Sequence, residues 1–169
     1  MTMHMTPQEL RRRWEVAKEE PAGSAKRIEA HQELAVHCPA FVPNLLALGR
    51  SLQLNQDEAS DAQACFAEGE RALRNAVDVS HEDVSALIEL AHFLDVIRDS
   101  PAEAESLFAE AARRASKQLE EAWAGLISTL GEQEKLEAAL AIAKRAQYVF
   151  PDSATIAEAI EFAKQSSAG

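Results

Sequence analysis

Large apolar residues in this chain recur three and four positions apart, and no stretch of strand length alternates apolar with polar. Leu45, Leu48 and Leu52 form one run, Leu87, Leu90, Leu94 and Ile97 a second, Leu126 and Leu130 a third. A backbone that turns once per ~3.6 residues brings such positions onto one face, so each run reads as a helix with one buried stripe. Only 6 Gly and 6 Pro occur in 169 residues, too few for a loop-rich β fold or a disordered chain. An all-α fold is expected.

Helix starts are legible between the runs. Thr6-Pro7-Gln8-Glu9 and Ser100-Pro101-Ala102-Glu103 each join a capping hydroxyl, a proline at the first helical position and a glutamate at the third. Ser80-His81-Glu82-Asp83 is a weaker version, and Ser24, Asp57 and Ser153 are further starts. Nine helices follow, at about 7–19, 24–38, 43–54, 58–77, 82–98, 101–117, 119–131, 134–149 and 153–165. Short connections make neighbours antiparallel.

Charge narrows the function. Acids exceed bases by 28 to 17, a net −11 that repels phosphate backbones and anionic lipid, so no nucleic acid and no membrane is expected as partner. Residues 1–40 are neutral, with six bases and six acids, and residues 41–169 carry 11 against 22. No apolar run approaches the ~20 residues of a membrane span. No apolar stretch follows Arg11-Arg12-Arg13, so no secretory signal is expected there and the cytoplasm is the expected compartment. Cys38 and Cys65 lack CxxC spacing and read as small apolar residues. The five histidines never fall as HxxxH, and no Gly-rich phosphate loop occurs. No metal and no cofactor is expected.

Three segments share a finer pattern. The first is Leu45-x2-Leu48-Gly49-x2-Leu52 followed by Ala62-x3-Phe66-x2-Gly69. The second is Leu87-x2-Leu90-Ala91-x2-Leu94 followed by Ala104-x3-Phe108-x2-Ala111. The third is Trp123-x2-Leu126-Ile127-x2-Leu130 followed by Ala139-x3-Ala143-x2-Ala146 and Pro151. Large residues on each first helix make a ridge, and the small residue on each second helix opens a groove for it. A helix pair of this kind cannot bury its apolar face alone and must stack on the next.

This pattern resembles the tetratricopeptide repeat family, most closely in the third segment. The first two segments depart from it. Leu48 to Leu90 is 42 residues and Leu90 to Leu126 is 36, against about 34 in the family. The resemblance implies a superhelix of antiparallel helix pairs. Residues 1–40 would form a degenerate N-terminal pair, 41–152 three repeat-like pairs, and 153–169 a capping helix and tail, all in one continuous domain.

It further implies a concave face lined by the first helix of each pair, offered to a peptide or partner protein. Carried over residue by residue, its main members are Leu46, Arg50, Ile88, Glu89, His92, Asp95 and Ser128, with Val96 and Ala124 among their neighbours. Arg50, His92 and Ser128 hold equivalent positions and should form a row. Several acids and a few apolar anchors suit a basic or amphipathic partner. The chain is therefore expected to be a non-enzymatic scaffold, adaptor or chaperone. One alternative is a homo-oligomer built through the neutral N-terminal pair. Another is a hydrolase with Ser128 as nucleophile, His92 as base and Asp95 as orienting acid, which the lack of a Gly-rich turn for an oxyanion hole disfavours.

Overall fold

The structure is a computed structural model that describes residues 5–55 and 61–167. Among them are eight helices: α1 (Pro7–Glu19), α2 (Ala25–His37), α3 (Val42–Gln53), α4 (Ala62–Val79), α5 (Val84–Val96), α6 (Pro101–Glu132), α7 (Leu136–Val149) and α8 (Ala154–Ser166). No strand occurs among the described residues. The all-α reading holds.

Capping chemistry explains several boundaries. The hydroxyls of Thr6, Ser24 and Ser153 accept from the backbone N–H three residues on, at 3.2, 3.3 and 3.1 Å. The expected start at Asp57 lies outside the described residues, and Asp61 caps α4. At α5 the cap is Asp83, which accepts from Ser85 N–H, while Ser80 accepts from Asp83 N–H one turn earlier.

The helix count corrects the sequence reading. Segments 101–117 and 119–131 are one 32-residue helix, α6. Its middle, Ala112-Arg113-Arg114-Ala115-Ser116-Lys117-Gln118-Leu119-Glu120, contains no Gly, no Pro and no strong capping signal, so nothing stops the backbone ladder there. The repeat pattern demands a turn that the local chemistry does not supply.

The chain divides into two compact units, residues 1–111 and 112–169, and the boundary falls inside α6. In the first unit, Leu45, Leu73, Leu90, Phe93 and Leu94 form the main core, joined by Leu107 and Phe108 from α6. A second cluster of Ile28, Leu48, Leu52 and Ala72 ties α2 to α3 and α4. The expected ridges Leu45/Leu48/Leu52 and Leu87/Leu90/Leu94 are all buried. Each fully buried leucine contributes about 1.5–3 kcal/mol of transfer free energy.

The N-terminal pair is engaged in this core. Ile28 and Leu34 are buried, and Trp14 sets its ring edge-on to Phe41 at 5.8 Å. The turn between α1 and α2 holds Gly23 at φ +75, where an added Cβ would stand 1.8 Å from the carbonyl oxygen of Leu54. Only glycine fits both the backbone angle and that approach.

The second unit packs differently. Its core is Ile127, Ile156 and Ile160 among Ala124, Ala139, Ala143, Ala146, Ala159 and Ala163. Here the repeat pattern misleads by one position. Leu126, expected in the ridge, is 43% exposed, whereas Ile127 and Ala124 are buried. Gly131 explains the rotation: it faces Ala163 of α8 so closely that a Cβ would lie 2.4 Å from the Ala163 Cα. Residues 124, 127 and 131 share a helix face, and that face is the one turned to the core. Phe162 of α8 is also exposed. Trp123 sets its ring edge-on to Phe150 at 6.0 Å and covers the end of this core.

Candidate functional site

The residues carried over to a partner face lie mainly on α3 and α5 of the first unit. Helix α5 buries Ala86, Leu87, Leu90, Ala91, Phe93 and Leu94. The opposite face carries Ile88 and Glu89, half-buried, and His92, Asp95 and Val96, exposed. Ile88, His92 and Val96 follow each other at one-turn spacing, which makes an apolar-aromatic stripe with Glu89 and Asp95 beside it.

Arg50 on α3 reaches this stripe through a two-pronged ion pair with Glu89. Its Nε donates to Glu89 Oε2 at 2.8 Å, and its Nη2 donates to the other oxygen. Hydrogen bonding to Glu89 raises the guanidinium's already high pKa, so Arg50 keeps its charge in this contact. With Arg50 still 56% exposed, the pair contributes at most about 1 kcal/mol, and its use is to fix two side chains on the surface. The His92 ring rests edge-on against Phe108 of α6 at 4.9 Å, which holds its orientation.

Two members of the expected face are in the core. Leu46 is 9% exposed within the main cluster, because α3 lies between α2, α4 and α5 and only a narrow strip at Arg50 reaches solvent. Ala124 is 8% exposed and packs in the second unit. Ser128 is half-buried on α6 in the second unit, whereas Arg50, His92 and Asp95 belong to the first. The structure thus brings together Arg50 and Glu89 directly, and Ile88, His92 and Asp95 along one helix.

Behind α5 a charged network fixes the end of the helix. Glu70 of α4 accepts from Arg98 Nε at 2.7 Å and from Arg74 Nε at 3.0 Å, and Arg74 Nη2 donates to Glu103 of α6 at 2.9 Å. Burial pushes the Glu70 carboxyl upward, but hydrogen bonds from Arg98 and Arg74 outweigh it and hold the group below the usual carboxylate range.

Two features were not read from the sequence. The first is a buried polar pair: His31 Nδ1 meets Asn44 Oδ1 at 2.8 Å, and Asn44 Nδ2 donates to the His31 carbonyl at 2.8 Å. Both side chains are fully buried, and His31 Nε2 has no partner. Burial lowers the His31 pKa, with the Asn44 hydrogen bond opposing and Arg27 assisting. The ring is therefore neutral, its proton on Nδ1.

The second is a shallow recess of about 610 Å³ on the second unit, walled by Trp123, Lys144, Arg145, Gln147, Tyr148 and Val149. Tyr148 is 90% exposed. The sequence signal was present in Lys144-Arg145-Ala146-Gln147-Tyr148, an aromatic on the basic face of a helix.

Cys38 and Cys65 are free and half-buried, and Cys65 Sγ accepts from Asn55 Nδ2 at 3.2 Å. No helix among the described residues is long and apolar enough to cross a membrane.

The pattern that defines the Myxococcota tetratricopeptide repeat protein family matches residues 2–81, which takes in α1 to α4. That span includes the N-terminal pair, which the repeat spacing alone had marked as degenerate. A protein of Myxococcus xanthus named as an uncharacterized 18.1 kDa protein in the carS 3′ region is 48% identical over 167 residues, covering 99% of this chain and 98% of that one. The chain belongs to the Myxococcota tetratricopeptide repeat protein family.

Proposed function

We propose that the chain is a non-enzymatic protein-binding module of the cytoplasm, a scaffold, adaptor or chaperone that takes a basic or amphipathic partner segment on the α3–α5 face. The observation that carries this reading is the solvent-reaching stripe Ile88, His92 and Val96 beside the carboxylates Glu89 and Asp95, mounted on a leucine core. A helix held by that core loses little freedom when a ligand docks, so less of the interaction energy is spent on ordering. The acidic flank attracts a cationic partner and sets its register, while the apolar stripe supplies the contact that excludes water. Family membership favours interaction over catalysis, and the hydrolase alternative lacks a Gly-rich turn to supply an oxyanion hole at Ser128.

The test is titration of the full chain with a synthetic basic amphipathic helical peptide, followed by calorimetry at low and high salt. Asp95→Lys should weaken binding by about tenfold at low salt and less at high salt. Ile88→Ser should weaken it at both, with the far-UV helical signal unchanged. Equal affinity of both variants and the parent would remove the site from this face.

A further inference from the structure

The chemistry required of a partner for α5, apolar with positive charge at its edge, is present elsewhere on the same chain. The recess on the second unit has Trp123, Tyr148 and Val149 for walls and Lys144 and Arg145 at its rim. Both cations are exposed, and neither has a carboxylate partner among the described residues. Tyr148 and Val149 are 90% and 49% exposed, an unusual disposition for an aromatic and a β-branched residue side by side on a helix.

At the far end of α5 the complementary set occurs. Val96 is 73% exposed, and Asp95 and Asp99, also exposed, stand one before it and three after it. Neither aspartate has an ion-pair partner among the described residues. The charge pattern extends beyond these pairs, since residues 1–111 carry 10 bases against 20 acids and residues 112–169 carry 7 against 8.

We infer that the protein associates with a second copy of itself, the Trp123–Tyr148 recess of one copy receiving the Val96 end of α5 from another. Val96 enters between Tyr148 and Val149, and Asp95 and Asp99 meet Lys144 and Arg145. Two unpaired charges of each sign are thereby neutralised, and the apolar surface that each copy leaves to water is covered. Because the inserted Val96 stripe is part of the partner face proposed above, the inference rests on that reading of α5. Its consequence is regulatory: self-association occupies the face, and a foreign partner must compete with the second copy.

The experiment is light scattering of the full chain across roughly 1–200 µM, the range where weak self-association declares itself. The weight-average mass should rise above the 18.5 kDa of one chain with concentration and fall back as salt is raised. Lys144→Glu/Arg145→Glu should weaken association by about tenfold or more, and so should Asp95→Lys/Asp99→Asn. Asparagine is chosen at position 99 because that residue sits at φ 52, which asparagine tolerates. An equimolar mixture of the two charge variants pairs opposite signs again and should regain the lost mass. Tyr148→Asp, at a site too exposed to affect folding, should act like the recess charge variant.

A chain that stays at 18.5 kDa throughout overturns the inference. So does a recess variant that associates as the parent does, or a mixture that fails to recover. Capture of an acidic peptide by a strictly monomeric chain would give the recess to a foreign ligand and would equally refute self-docking. The recess variants leave α5 intact. If they lose self-association yet still bind the basic peptide, both readings stand; if they bind the peptide but never associated, only the self-docking reading falls.

Discussion

The first unit is built on large side chains and the second on small ones. In residues 1–111 the core is leucine and phenylalanine, with a polar pair sealed inside it. In residues 112–169 six alanines surround three isoleucines, while Leu119, Leu126, Leu140, Tyr148 and Phe162 stay at the surface. The contrast has a physical cause. Alanine and glycine let helix axes approach, as at Gly131 and Ala163, and a close approach leaves no room between the helices for bulky residues. Those residues go outward instead, where they are free to meet another molecule. Tight backbone packing and a sticky surface are thus two results of one choice of residue size.

Each unit holds a single tryptophan, Trp14 in the first and Trp123 in the second, so fluorescence can follow them apart in Trp→Phe backgrounds. The largest effect is expected for Phe93→Ala. This ring is 1% exposed at the centre of the leucine core, and its loss should cost about 3–5 kcal/mol in the Trp14 transition. The Trp123 transition should move less. Equal movement of both would confine the contrast to composition and deny it to stability.

Gly131→Ala sharpens the comparison from the other side. In an open helix this change would be favourable by about 1 kcal/mol, but here the new methyl meets the Ala163 backbone at 2.4 Å. We expect a loss of about 1–3 kcal/mol from forcing α6 and α8 apart, read at Trp123 by urea titration. A neutral or stabilising result would show that the alanine core gives way easily.

The smallest effect is a pH dependence confined to one unit. Folded His31 resists protonation because the ring is buried, so its pKa lies below the model-peptide value of 6.5. As pH falls through about 6.5 the unfolded chain takes up a proton that the folded chain refuses, and stability drops. At higher pH both states are neutral and the contribution is complete. The Trp14 transition should therefore weaken as pH falls below about 6.5, starting above the range where carboxylates titrate. The Trp123 transition lacks this cause, since residues 112–169 contain no histidine. His31→Gln should flatten the slope, and an unchanged slope would place the titrating group elsewhere.

What could be read from the chain alone follows the same division. The helix class, the caps at Thr6, Ser24 and Ser153 and the ridges of the first two repeats depend on residues within one turn of each other, and the sequence displays them. Leu46 was misplaced because α3 is covered on more sides than a repeat template implies. The break expected at Gln118 falls among helix-forming residues, and those local residues carry the helix through it. Leu126 was misassigned because Gly131, five residues on, sets which face of the helix can approach α8. His31 and Asn44 are thirteen residues apart on separate helices, and nothing short of the folded chain joins them.

That joined pair constrains how this protein can vary. Asn44 both accepts a hydrogen bond from the imidazole N–H and donates one to the backbone carbonyl of the same histidine, so exchanging either residue alone for an apolar one strands a polar atom in the interior. Drift at these two positions must be concerted: a lineage either keeps both, or replaces both together with a matched apolar couple.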